Sequence, residues 1–169
     1  MITKLKTYAP LAYCAVASIV FLDSLRFKFT NAPETQTIFG KLDAWAASFG
    51  AAGLFAQTGL FSQYVIGSAE LLASAFLLAS LVPALKRLRA IGALIAAAVM
   101  TGAVSFHLFT PLGIDPNNDG GGLFFMAVIV WLSSLAMLLV ERRTLTAIAG
   151  AVGGVLFNRA GQPALANSN

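Results

Sequence analysis

The chain has 169 residues, 58% of them hydrophobic and 11% charged, with a formal net charge of +4 and a mean hydropathy of +0.80. Soluble domains hold about a quarter of their residues as charged side chains, so the composition excludes an ordinary soluble domain. It also leaves too few polar residues for a self-contained hydrolase, and the basic residues border apolar runs rather than forming a nucleic-acid patch.

The first apolar run, residues 8–27, holds one acid, Asp23. Lys4 and Lys6 precede it in the manner of a signal peptide, and Ala15-Val16-Ala17 resembles a cleavage site. The run continues past that point, so it reads as an uncleaved first span. Asn31, Pro33 and Glu34 then mark residues 30–37 as a loop, since proline pushes the preceding residue away from helical geometry. Ile38, Phe39, Leu42, Trp45 and Phe49 recur at helical spacing and predict a short helix lying at the outer interface. Residues 50–59 read as a small-residue turn, a shallow re-entrant piece or an irregular loop.

Runs at 59–83, 90–110 and 122–140 contain no lysine or arginine. Each is about the ~20 residues that a helix needs to cross a bilayer core, and bilayers force spanning backbone into helices. The third is rich in Gly and Ala, which suits a central helix packed closely by its neighbours. Residues 111–122 form an acidic, glycine-rich loop in which Asp119 is placed to cap the fourth span. Residues 144–157 are apolar but too short to cross. The end, 161–169, is predicted to be disordered.

These elements predict an all-α fold: a four-helix transmembrane bundle over residues 1–143, then a short apolar and disordered cytoplasmic tail over 144–169. Lys4, Lys6, Lys86, Arg87, Arg89, Arg142, Arg143 and Arg159 fall on one side, and Arg26, Lys28 and Lys41 on the other. Basic loops stay cytoplasmic, which puts both termini inside and predicts a multi-pass protein of a bacterial-type inner membrane.

Chemistry must come from the few ionisable groups near the spans. Glu70 lies near the middle of the second run, where a carboxylate is costly and rarely faces lipid. It marks a proton path, an ion or polar-ligand site, or else an acid hydrogen-bonded to a neighbouring helix as structural glue. His107 is the only histidine, on one face with Gly92, Ala96, Met100 and Ala103. It can pass protons or bond a quinone carbonyl, or it can simply bond a loop carbonyl at the interface. Asp23 and Arg26 are one helical turn apart and can pair. With Lys28, His107, Asp115 and Asp119 they suggest an outer polar cluster above Glu70. One cysteine, Cys14, excludes an internal disulfide, and one Cys with one His does not make a zinc site. There is no metal-ligand spacing.

Gly67-Ser68-Ala69-Glu70-Leu71-Leu72-Ala73 resembles the glycine-x-x-glutamate-leucine-leucine signature in span two of DoxX-like membrane proteins. Arg26-Phe27-Lys28-Phe29 resembles the same family's lysine-phenylalanine exit from span one. The resemblance covers residues 11–140, and the chain departs from it in a longer tail after Arg143. It implies similarity to the membrane subunit of a thiosulfate:quinone oxidoreductase. Other members are tied to thiol redox defence or to maturation of a periplasmic dehydrogenase. Carried over, it points to Lys28, Gly67 and Glu70. The resulting expectation is a membrane subunit that anchors or serves a membrane or periplasmic redox partner. It has no covalently bound cofactor and holds a quinone-like lipid near Glu70 and His107, while Asp23, Arg26, Lys28, Gly67 and Asp119 contribute to ligand binding. Homo-oligomerisation is left open. The alternatives are a small proton-coupled transporter or channel, and a structural or assembly subunit of a larger complex.

Overall fold

A computed structural model describes residues 2–158, without the side chains of residues 2–7 and 156–158. The described residues are helical with no strand. The α-helices are α1 (Ile2–Phe29), α2 (Pro33–Ala47), α3 (Gln63–Ala79), α4 (Leu88–Phe109), α5 (Gly122–Val140) and α6 (Arg142–Asn158), with a 3-10 turn at Pro83–Leu85. Three stretches are long and apolar enough to cross a membrane: Tyr8–Phe29, Leu88–Phe109 and Gly122–Val140.

The run at 59–83, expected as a full span, is helical only over the 17 residues of α3. That is about 26 Å at ~1.5 Å per residue, short of a hydrocarbon core of ~30 Å. The ends explain the difference. Ser62 accepts the amide of Val65 and fixes the start, and Pro83 begins the 3-10 turn that follows. The predicted loop at 30–37 is also mostly helix. α1 ends in a Schellman pattern, with Asn31 left-handed at φ 53° and the Ala32 amide bonded to the Phe27 carbonyl at 3.0 Å. Pro33 then starts α2, where its fixed φ and missing N–H cost nothing.

α1 packs on α3, α3 on α4, α4 on α5, and α5 back on α1. Their shared core contains Cys14, Ala17, Phe21, Ala73, Leu77, Ala93, Ala96 and Val130. Small residues set the closest approach. A Cβ on Gly92 would lie 2.9 Å from Leu77 Cγ and Cδ2 and 3.1 Å from the Leu77 amide nitrogen, so α3 and α4 meet there because a side chain is missing. A buried polar link, Tyr13 to Ser134 at 2.9 Å, crosses the core, and on the exposed side Trp131 Nε1 of α5 donates to Thr101 of α4 at 2.9 Å.

Beyond one end of this core lies a second apolar cluster, in which Leu42 and Ala46 of α2 pack with Phe55 and Leu112. The irregular segment between α2 and α3 is pinned to α2 where Asp43 accepts the Phe55 amide at 3.0 Å. The apolar face of α2 packs on its own chain through Leu42 and Ala46, with Ile38, Phe39 and Trp45 partly buried, and leaves Phe49 exposed. Residues 144–157 lie within α6. Arg159 and the disorder predicted for 161–169 fall outside the described residues.

Candidate functional site

Lys28 and Glu70 meet. Lys28 stands in the last turn of α1 and Glu70 is the eighth residue of α3. The Lys28 ammonium donates to both carboxylate oxygens at 3.0 Å and also to Ser24 Oγ, one turn back on α1. The side chains are 15% and 3% exposed, so this is a buried ion pair. All three ammonium hydrogens have acceptors, as a buried charge requires.

Gly67 lies one turn before Glu70 on the same face of α3. A Cβ there would sit 3.5 Å from Lys28 Cδ, Leu25 Cδ2 and Phe29 Cζ. The glycine therefore runs along the aliphatic stem of Lys28. Nearby, the Phe29 and Tyr64 rings stack with centroids 6.4 Å apart. Gln63 closes the seam: its amide nitrogen donates to the Lys28 carbonyl at 2.9 Å and to Asn31 Oδ1 at 3.0 Å. Ser74 returns a hydrogen bond to the Glu70 carbonyl at 2.9 Å.

The other expected residues stand apart from this group. Asp23 and Arg26 pair with each other at 3.0 Å on the exposed side of α1. His107 is buried, as are Gly92, Ala96 and Met100 on its face of α4. Its Nδ1 bonds the Gly113 carbonyl at 2.6 Å, and its ring packs against Phe124. It thus ties the loop after α4 to the helix. Asp119 serves the start of α5 from the loop rather than from the cap position, which Gly121 occupies in a left-handed conformation. Its oxygens accept the Leu123 amide at 2.9 Å and the Gly121 amide at 3.0 Å. Those bonds, the one from Leu123 first, hold its carboxyl below the ordinary value of 3.8.

Sequence reasoning missed Ser24 and Gln63. Ser24 carried a usable signal, lying four residues before Lys28 on the same helical face. Gln63 carried none, since its partners are a backbone carbonyl and a turn residue. A second ion pair was also missed. Arg89 Nε, at the start of α4, donates to Glu141 Oε1 at 2.7 Å, just past the end of α5. Thr144 donates to the other Glu141 oxygen at 2.9 Å. Antiparallel packing of α4 and α5 places the start of one beside the end of the other, which is the signal that was available.

Among the described residues no group of three or more His, Cys, Asp or Glu side chains is placed to hold a metal. Set against protein-family models, curated proteins and solved structures, the chain matches none of them.

Proposed function

We propose that the chain is a four-span inner-membrane subunit of the DoxX-like kind, with both termini cytoplasmic, serving a redox partner and holding a quinone-like lipid beside Lys28 and Glu70. In this reading α3 crosses as the short fourth span, since ~17 residues is the lower limit for crossing. The observation that supports the reading is the contact between the two motif segments. The lysine of Arg26-Phe27-Lys28-Phe29 sits on the glutamate of Gly67-Ser68-Ala69-Glu70, 42 residues away, and the motif glycine runs beside the lysine stem.

The residues fit a quinone head group. Ser24 accepts from Lys28 and keeps its own hydroxyl hydrogen for a carbonyl oxygen, Lys28 would donate to that oxygen by giving up one of its present bonds, Glu70 can hold a proton beside it, and the Phe29 and Tyr64 rings flank the seam where Gly67 has no side chain. A quinone bound there would exchange electrons with the partner, which must bring its own electron carrier. Arg26 and Asp23, exposed on the outer end of α1, face the partner. His107 holds the loop that borders that end.

Proton-coupled transport is the less favoured reading. Ser18 is buried with its hydroxyl unpartnered among the described residues, but Phe21, Ala73 and Leu77 are wholly buried between the two ion pairs along α1 and α3. The polar side chains buried in that stretch of α1 and α3 are the hydroxyls of Ser18 and Ser74, with no acid, amine or imidazole among the described residues there to relay a proton onward.

The test is purification in a gentle detergent, followed by absorbance spectra and mass spectrometry of extracted lipids and co-purifying proteins. A stoichiometric quinone or a redox subunit is expected. A colourless protein with neither contradicts the proposal.

A further inference from the structure

Lys86, Arg87, Arg142 and Arg143 are all exposed. They lie at one end of the molecule, in the turn between α3 and α4 and at the start of α6. The acid at that end, Glu141, is already held by Arg89 and Thr144. Four cations thus stand there without an acidic partner among the described residues. α6 follows α5 directly in the chain. The last helical bond of α5 runs from the Glu141 amide to the Met137 carbonyl, the first of α6 from the Leu145 amide to the Glu141 carbonyl, and the amides of residues 142–144 make no helical bond back to α5. α6 touches α4 as well as α5, with the start of α4 beside the junction through Arg89 and Glu141.

Leu145, Ile148, Val152 and Val155 recur at intervals of three, four and three residues and form one face of α6. Val152 and Val155 are 53% and 62% exposed, and Leu139 and Val140, just before the junction, are 73% and 66% exposed. Helical spacing puts Arg143, Thr146, Gly150 and Gly154 on the opposite side of α6 from this face, with Arg142 at its flank; Leu139 and Val140 form a separate exposed apolar patch at the end of α5. α6 is 17 residues long like α3, but it opens on Arg142 and Arg143 and holds Gly150, Gly153 and Gly154, so its apolar stretch, residues 144–157, falls below the ~17 residues that a crossing needs. A helix with an apolar stripe and flanking cations lies in the headgroup region, and anionic lipid attracts each nearby cation.

We infer that α6 and the Lys86–Arg87 turn form a docking surface for an anionic phospholipid leaflet, with Val152 and Val155 seated among acyl chains. The inference rests on the proposal that α5 crosses the membrane. It specifies what lies against the basic end: phospholipid headgroups, which would fix how far α5 is drawn into the bilayer.

The test uses the full chain with Cys14→Ala, carrying one introduced cysteine at a time (Leu139→Cys, Gly150→Cys or Val152→Cys), each labelled with an environment-sensitive fluorophore. Each is placed in phosphatidylcholine nanodiscs with and without phosphatidylglycerol. The expected result is a blue-shifted label at 139 in both discs. At 152 the shift should appear with phosphatidylglycerol and weaken without it, and 150 should stay water-exposed. Changing Lys86, Arg87, Arg142 and Arg143 to Gln together should abolish the lipid dependence at 152. A water-exposed label at 152 beside a lipid-exposed label at 139 overturns this inference and spares the membrane reading. Water exposure at 139 defeats both. Protection at 152 that ignores lipid charge and survives the four substitutions also overturns it, in favour of contact between copies of α6.

Discussion

The two buried ion pairs have the same chemistry and opposite settings. Lys28 and Glu70 join the end of one helix to the middle of another, and the acid is 3% exposed. Arg89 and Glu141 join two helix ends, and the acid is 10% exposed, beside the exposed cations of that end. A pair at helix ends is cheap to hydrate and can be read as a clasp between α4 and the α5–α6 junction. A pair at mid-helix must be desolvated, and desolvation often costs more than the Coulomb attraction returns. A chain that keeps such a pair in an apolar run gains something other than stability from it, which is why the candidate site is placed there.

The comparison sharpens first through single removals. Lys28→Met leaves a carboxylate buried without its partner and should destabilise the protein by about 3–5 kcal/mol, read as thermal unfolding in detergent. Replacing both residues, Lys28→Met with Glu70→Met, should recover most of that loss, because no unpaired charge remains. If the double variant is as unstable as the single one, the pair is structural glue and the comparison collapses. At the other end, Arg89→Met should cost less, about 1.5–3 kcal/mol, since Glu141 keeps Thr144 and lies nearer to water. A larger loss there than at Lys28 would reverse the assignment of roles.

Two glycines extend the contrast to packing. Gly92→Ala forces a methyl into Leu77 and should cost about 1–3 kcal/mol. Gly67→Ala makes only ordinary contacts at 3.5 Å, so its stability should change by less than about 1 kcal/mol. Any larger effect of Gly67→Ala is expected in ligand binding.

The smallest effect belongs to Asp119. Its carboxyl is held below 3.8 in the folded chain. Its stabilising bonds are therefore fully present above that value, weaken as the pH falls beneath it, and are gone below the folded value. Asp119→Ala should lose about 1 kcal/mol near neutrality, and the difference from the parent should shrink in acid. Melting curves across the acid range test this, and a gap that widens in acid would contradict the capping role.

Much of the fold was legible because bilayer crossing demands long apolar runs, and three of them became long helices with little change of boundary. α3 was overread, since hydropathy does not register that Ser62 caps the helix or that Pro83 starts a new turn. α2 was misplaced at its start because proline, a loop signal after an extended residue, is also a favoured first residue of a helix. Glu70 was legible as an isolated acid in an apolar run. Its pairing with Lys28 was not readable from spacing, because 42 residues separate the two and only the packing of α1 on α3 brings them together; the outer polar cluster and the family resemblance both named Lys28, and neither paired it with Glu70. Arg89 and Glu141 were hidden among residues that look like ordinary topological charge.

The most direct test of the central claim is the amount of quinone bound per protein in the parent and in the folded Lys28→Met, Glu70→Met double variant, purified side by side in the same gentle detergent. The account predicts a stoichiometric quinone in the parent and its loss from a variant that still folds. Equal quinone in both, or none in the parent, would contradict it.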